Sequence, residues 1–321
     1  MERPRSETET DVIQRWLQFW FAPASPINLG VSRLLFFAGV LVMYASEDFS
    51  AWGAVSSAYW LPMPLFDALH LRPIHQSAIS ALEAIWRVSL VLSAAGFVSR
   101  VSMTVAALLS VYLLGLPHNF GQTYHFDALL VIAMGVFAVS RAGDAFSVDA
   151  WLRGGSRPEP SGEYTWPLRA IWVAMSLVFL AAGLAKLRYG GLDWITSRNM
   201  SILLTRAMYH VSDADPQATW GLFIAQHHWA SGALAATAVA TELLFPLALV
   251  SRTARAVLVP AAFAMLVSIR VLMGPTFGGF LVANVVWVPW DAVGARVLAW
   301  RRQGRVADEP ASRESYGVHV S

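Results

Sequence analysis

The feature that most constrains this 321-residue chain is a recurring apolar window of about 20 residues that carries few charges. A window of that length crosses the hydrocarbon core of a bilayer as a helix. In lipid every backbone N–H and C=O needs an internal partner, so a spanning segment is either helical or part of a closed barrel. These windows are continuous rather than alternating, which excludes barrel strands. Composition agrees: 56% of the residues are hydrophobic and 14% charged, where a soluble domain carries roughly a quarter charged residues. The fold class read from sequence is all-α, a polytopic integral membrane helix bundle.

Eight spans are expected, at 27–45, 79–98, 101–116, 124–140, 167–186, 230–250, 254–273 and 277–293. The third, fourth and eighth are short, which leaves re-entrant or tilted arrangements open for one of them. Between spans, "YWLPMPLFDALHLRP" and "MSILLTRAMYH" are apolar but too short to cross. They are expected as interfacial helices on the outer face, with Trp52, Trp60, Trp194, Trp220 and Trp229 as anchors at headgroup depth. Before the first span, "VIQRWLQFWF" mixes aromatic and polar residues as an interfacial helix does. The domain reading is a cytoplasmic N-terminus with that helix over 1–25, a transmembrane domain over 26–293 and a polar cytoplasmic tail over 294–321. The polar first residues lack the pattern of a cleaved signal peptide, so the first span is expected to act as a signal anchor.

Arginine placement sets the orientation. With the N-terminus in the cytoplasm, fifteen basic residues fall inside and six outside, so both termini are expected in the cytoplasm of a bacterial plasma (inner) membrane. Seven of the eight histidines then fall outside or at outer span ends. No cysteine is present, which removes thiol nucleophiles and disulfides. The net charge of +2 reflects flanking arginines and points to no nucleic-acid partner.

Charged groups within apolar spans are costly and become candidates for chemistry. Lys186, in "FLAAGLAKLRYGGLDW", is the only lysine beside 22 arginines. Arginine snorkels or pairs with Asp193 equally well, but only lysine loses its proton near neutral pH when desolvated. A general base at the outer mouth is therefore expected at Lys186. Glu242 lies mid-span, four residues before Pro246, and an ion pair with Arg33 of the first span is expected for it. Glu83 and Arg87, at i and i+4, are expected to pair with each other. The loop "LPHNFGQTYHFDALL" gathers His118, Asn119, Tyr124, His125 and Asp127. Its histidine spacing matches no metal pattern, so no metal is expected there. The small residues Gly232, Ala236 and Ala240 fit close helix packing.

Several of these segments, in order, resemble one family. "FLAAGLAKLRYGGLDW" is similar to the part of vitamin K-dependent γ-glutamyl carboxylase where a helix ends in Gly-x-x-Lys-Leu followed by a tryptophan, here Trp194. "NLGVSRLLFFAGVLVMY", "LPMPLFDALHLRP", "YHFDALLVIAMGVFAVSRAGDAFSVDAWL" and "LVSRTARAVLV" resemble further family segments with similar spacing, so that the likeness covers about residues 26–291. The chain thereby resembles the bacterial horizontally transferred transmembrane (HTTM) domain proteins, whose membrane part is related to the carboxylase. In the carboxylase a lysine deprotonates reduced vitamin K, the quinol's reaction with oxygen supplies a strong base, and carbon dioxide adds to a glutamate carbanion. The resemblance places Lys186 at the lysine position and His125 at a required histidine, with His118, beside Asn119, as a competitor. It implies a quinol cofactor such as reduced vitamin K or menaquinol, and carbon–carbon lyase or monooxygenase-type activity.

Three departures limit the carry-over. Thr123 and Tyr124 stand where the carboxylase has Asn-Asn, and Arg270 replaces a seventh-span histidine. The chain also runs only a short way past the eighth span, without the carboxylase's large extracytoplasmic domain, so peptide γ-carboxylation is not expected. The leading reading is an outward-facing site for a quinol or another lipid-soluble ligand. Lys186, His125 and His118 are its candidate catalytic residues, and Asn119, Tyr124, Asp127, Glu242 and Trp194 its candidate ligand-binding residues. The rival is a non-catalytic membrane module that supports export or maturation of a secreted peptide. A small-solute transporter has less support, because no inverted repeat is evident.

Overall fold

A computed structural model describes residues 7–121, 127–155, 158–208, 217–274 and 277–307. Among them every regular element is helical. The N-terminal half runs α1 (Glu7–Phe21), α2 (Pro26–Met43), α3 (Pro64–Ala68), α4 (Gln76–Ala95), α5 (Ser99–Gly115), α6 (Ala128–Val139) and α7 (Val148–Leu152). The rest runs α8 (Trp166–Gly190), α9 (Asp193–Thr196), α10 (Asn199–Met208), α11 (Gln217–Gln226), α12 (His228–Leu244), α13 (Leu247–Val250), α14 (Arg252–Met273) and α15 (Gly278–Ala283). A further helix, α16 (Trp290–Ala307), belongs to a separate unit over 289–321 and ends in the basic run that includes Arg301 and Arg302.

Among the described residues five stretches are helical, long and apolar enough to cross a membrane: Pro26–Met43, Gln76–Ala95, Ser99–Asn119, Gly162–Gly190 and Arg252–Met273. Taking 278–287 and 290–301 together as one broken span gives six. The eight expected windows thus map onto helices of unequal length. The fourth is the 12-residue α6, and the sixth is the 17-residue α12, which stops short of Pro246 and resumes as α13. Proline removes an amide donor and collides with the preceding turn, so the apolar run is longer than the helix built from it.

Helix ends follow local chemistry. Ser25 Oγ accepts from Ile27 N and Pro26 opens α2, the favoured proline position. The α5 N-terminus is capped from elsewhere in the chain: Asp149 of α7 accepts from Val98 N at 2.8 Å, Ser99 N at 2.7 Å and Ser99 Oγ at 2.6 Å. This gives the Ser147-Val148-Asp149 turn a structural purpose, because Ser147 Oγ meanwhile caps α7 through Ala150 N at 2.9 Å. Partial burial works to raise the Asp149 carboxyl, but the hydrogen bonds from Ser99 and Val98 outweigh it and hold the group below the usual carboxylate range. A group lowered in the folded state stabilises fully above about pH 4 and ceases to do so as pH falls through its folded value. Asp149→Asn is expected to cost about 1–3 kcal/mol near neutral pH. Thermal unfolding from pH 6 down to pH 3 should show the gap to the wild type closing as pH falls.

The core is aromatic. Phe36 and Phe37 of α2 meet Phe137 of α6 with ring centroids 5.2 and 5.8 Å apart. The buried Trp86 of α4 donates to Ser110 Oγ of α5 at 2.8 Å, so its indole N–H is satisfied without water. Glu83 and Arg87 pair as the spacing predicts, at 2.6 Å. They do more than satisfy each other: Arg87 also donates to Ala45 O and Glu47 O, while Glu83 accepts from Phe49 N. Together they fasten the segment after α2 to α4.

Candidate functional site

The long α8 ends in the lysine segment because its apolar residues run to Leu187 and then meet Gly190 and Gly191, the latter at φ +57°. One turn before the lysine, Gly183 lets α8 approach α12 closely. A Cβ there would come within 3.0 Å of Leu243 and 3.1 Å of Glu242 Cβ. Lys186, three residues on, shares that face of the helix. Its Nζ donates to Glu242 Oε1 and Oε2, both at 2.7 Å. Its side chain is 26% exposed and that of Glu242 9%, so the pair sits at the edge of the protein interior. The next turn of α9 lays the Trp194 ring 5.9 Å from Lys186 Nζ, and the Trp194 Nε1 is buried with no hydrogen-bond partner among the described residues.

This arrangement corrects one expectation. The partner of Glu242 is Lys186, not Arg33, and Lys186 pairs with Glu242 rather than Asp193. Arg33 is fully buried and donates from Nη2 to Phe146 O at 2.5 Å, where Asp149 supplies the nearby negative charge. Depth along a span does not fix the face a side chain occupies; Arg33 turns toward the α4–α7 end contacts and Glu242 toward α8.

A second group forms where α2 and α5 end and α6 begins. His118, in a single 3-10 turn after α5, lies 3.3 Å from Asp127 Oδ2 through Nε2. Tyr44 Oη donates to the other Asp127 oxygen. Sequence reasoning missed Tyr44, since a tyrosine closing an apolar span reads as an interfacial anchor. Asn119 is fully buried, and its side chain is occupied by backbone: Oδ1 accepts from Met63 N at 2.7 Å and Nδ2 donates to Gly115 O at 2.7 Å. It ties the loop before α3 to the end of α5. Tyr124 and His125 lie outside the described residues. The structure therefore gathers the expected site residues into two groups, Lys186–Glu242–Trp194 and His118–Asp127, with Asn119 beside the second. Among the described residues no three His, Cys, Asp or Glu side chains are grouped as a metal ion requires.

Chemically, the first group offers a proton carrier with an adjacent carboxylate and an unused indole donor, walled by apolar helices. The second holds an imidazole in place through a carboxylate that is itself oriented by a phenol, an arrangement suited to proton transfer. A search of curated proteins and of solved structures gives no match. A family model described as the HTTM domain matches residues 21–277, which include every residue of both groups. With five helices of spanning length among the described residues and that match across most of its length, the chain is a helical membrane protein and belongs to the HTTM-domain family.

Proposed function

We propose that this protein binds a quinol, or another lipid-soluble ligand bearing an ionisable hydroxyl, at an outward-facing carboxylase-like site in the plasma membrane. Eight crossings with both termini in the cytoplasm complete the reading, the shorter apolar helices supplying the crossings beyond five. The observation that carries it is the Lys186–Glu242 pair, 2.7 Å apart at the end of α8 with Trp194 beside it. Reduced vitamin K or menaquinol fits this donor set: the unpartnered Trp194 Nε1 has a hydrogen bond to give to an oxygen, and the indole face suits a flat ring. When bound, such a quinol supplies a reducing aromatic hydroxyl. Lys186 acts as the base that takes the hydroxyl proton. For that, Nζ must hold a free lone pair, and the proton it carries in the ion pair has an acceptor in Glu242 at hydrogen-bond distance. His118, oriented by Asp127, is the partner for proton transfer in the second group, with His125 as its competitor.

The test is purification followed by extraction and identification of bound quinone. The expected result is a quinone that copurifies, or saturable binding of added menaquinol. Finding neither overturns the proposal. One observation favours a second reading: the same ion pair is also a plain clamp between α8 and α12. A non-catalytic module supporting export or maturation of a secreted peptide would need no more, and would be indifferent to Lys186→Arg.

A further inference from the structure

A second site lies on α10 and the elements around it, away from the Lys186–Glu242 pair. Ser201, Ile202, Thr205 and Arg206 recur at helical spacing and so share one stripe of α10, with Arg198 immediately before its first residue. That stripe, with Gln226 at the end of α11 and His228 at the start of α12, walls a cleft of about 510 Å³. No carboxylate lines it. Neither guanidinium, among the described residues, has a hydrogen bond or ion pair, and the same holds for the side chains of Gln226 and His228. The hydroxyls, by contrast, are committed: Thr205 donates to Ser201 O at 2.8 Å, and Ser201 Oγ pairs with Ser231 Oγ at 2.9 Å. What remains is a concave surface of unused N–H donors carrying two positive charges.

We infer that this cleft binds the phosphate group of a phosphate ester. Arg198, immediately before α10, and Arg206, in its last turn, both line the cleft. Their long side chains converge on a tetrahedral anion with several acceptor oxygens, where a carboxylate with two oxygens leaves most donors unmatched. The source of that phosphate is either a lipid headgroup or a soluble phosphate ester. The surroundings favour the lipid. Ile202 of α10, Trp220 and Phe223 of α11 and Trp229 at the start of α12 are all exposed, Trp229 to 77%, and tryptophans beside cationic side chains mark headgroup depth. The site is independent of the quinol reading and stands if that reading fails.

The experiment uses the full chain in phosphatidylcholine nanodiscs with and without phosphatidylglycerol, with lipid retained through native mass spectrometry as the readout. The wild type is expected to retain phosphatidylglycerol in preference to phosphatidylcholine. Arg198→Gln/Arg206→Gln should weaken that retention roughly tenfold or more. Arg188→Gln, whose guanidinium lies over Tyr189 outside the cleft, should leave it unchanged. Inorganic phosphate, compared with chloride at equal ionic strength, should displace the lipid. Phosphate binding without a lipid preference supports the site and assigns it to soluble esters. Equal phosphatidylglycerol retention by wild type and double variant, with no phosphate binding, overturns it. Should the double variant not fold, the wild type decides alone: indifference to both phosphatidylglycerol and phosphate overturns the assignment.

Discussion

Glu242→Ala is expected to destabilise the protein by about 3–5 kcal/mol, because it leaves Lys186 at the edge of an apolar interior without its counter-charge. Both oxygens of Glu242 accept from Nζ at 2.7 Å, and little of either side chain reaches solvent. Lys186 makes no other ion pair among the described residues, so the lost contact has no ready replacement. Replacing both members by apolar residues of similar volume, Lys186→Met with Glu242→Met, should recover most of that loss, since the desolvation cost disappears with the charges. Thermal unfolding in detergent of the wild type, both single variants and the double variant measures the coupling. A loss in the double variant equal to the sum of the two single losses would show that the pair does not interact. If it does, the double variant gives a folded protein in which the proposed chemistry is removed without unfolding the bundle.

Gly96→Ala is expected to be as damaging, by about 3–5 kcal/mol. Gly96 ends α4 in the left-handed region at φ +69°, which strains any residue with a Cβ. The larger effect is contact. A Cβ there would lie 1.7 Å from Arg33 Nη1 and 2.4 Å from Ser147 Cβ. Arg33 is fully buried, with its Nη2 bound to Phe146 O, and has nowhere to retreat without abandoning that bond. Gly154 provides the control. Its φ is +90° but nothing lies within 4 Å of a Cβ built there, so Gly154→Ala should cost only the backbone strain, about 1–2 kcal/mol. Similar losses at both positions, measured by thermal unfolding, would show that the Arg33 contact is unimportant.

Much of this architecture is legible in the sequence because the bilayer imposes it. Unbroken apolar windows leave little but helices, and the segments around Gln76, Ser99, Trp166 and Arg252 became helices close to where they were expected. Two of the apolar segments too short to cross also formed short helices, at Pro64–Ala68 and Asn199–Met208. Glu83 and Arg87 were readable because i, i+4 geometry is local. The partner of Lys186 was not, since it lies 56 residues away and depends on which face of α12 meets α8. Hydrophobicity almost uniform around a buried helix gives no rotational signal, so Glu242 was as compatible with Arg33 as with Lys186. The same limit hid Tyr44, whose contact with Asp127 spans 83 residues. Asp149 was visible as part of a recurring turn, but its role as a cap for α5 emerges only when the two helix ends meet.

The most direct test of the central claim is quinol consumption by Lys186→Arg. Arginine keeps a positive charge opposite Glu242, so folding and quinol binding should persist. It does not release its proton at working pH, so removal of the hydroxyl proton should fail. Reconstituted with menaquinol in air-saturated buffer, where dissolved oxygen is the oxidant, the wild type should consume the quinol and the arginine variant should do so at least about a hundredfold more slowly, the usual contribution of a general base. An arginine variant with unchanged turnover would contradict the assignment of Lys186 as the base.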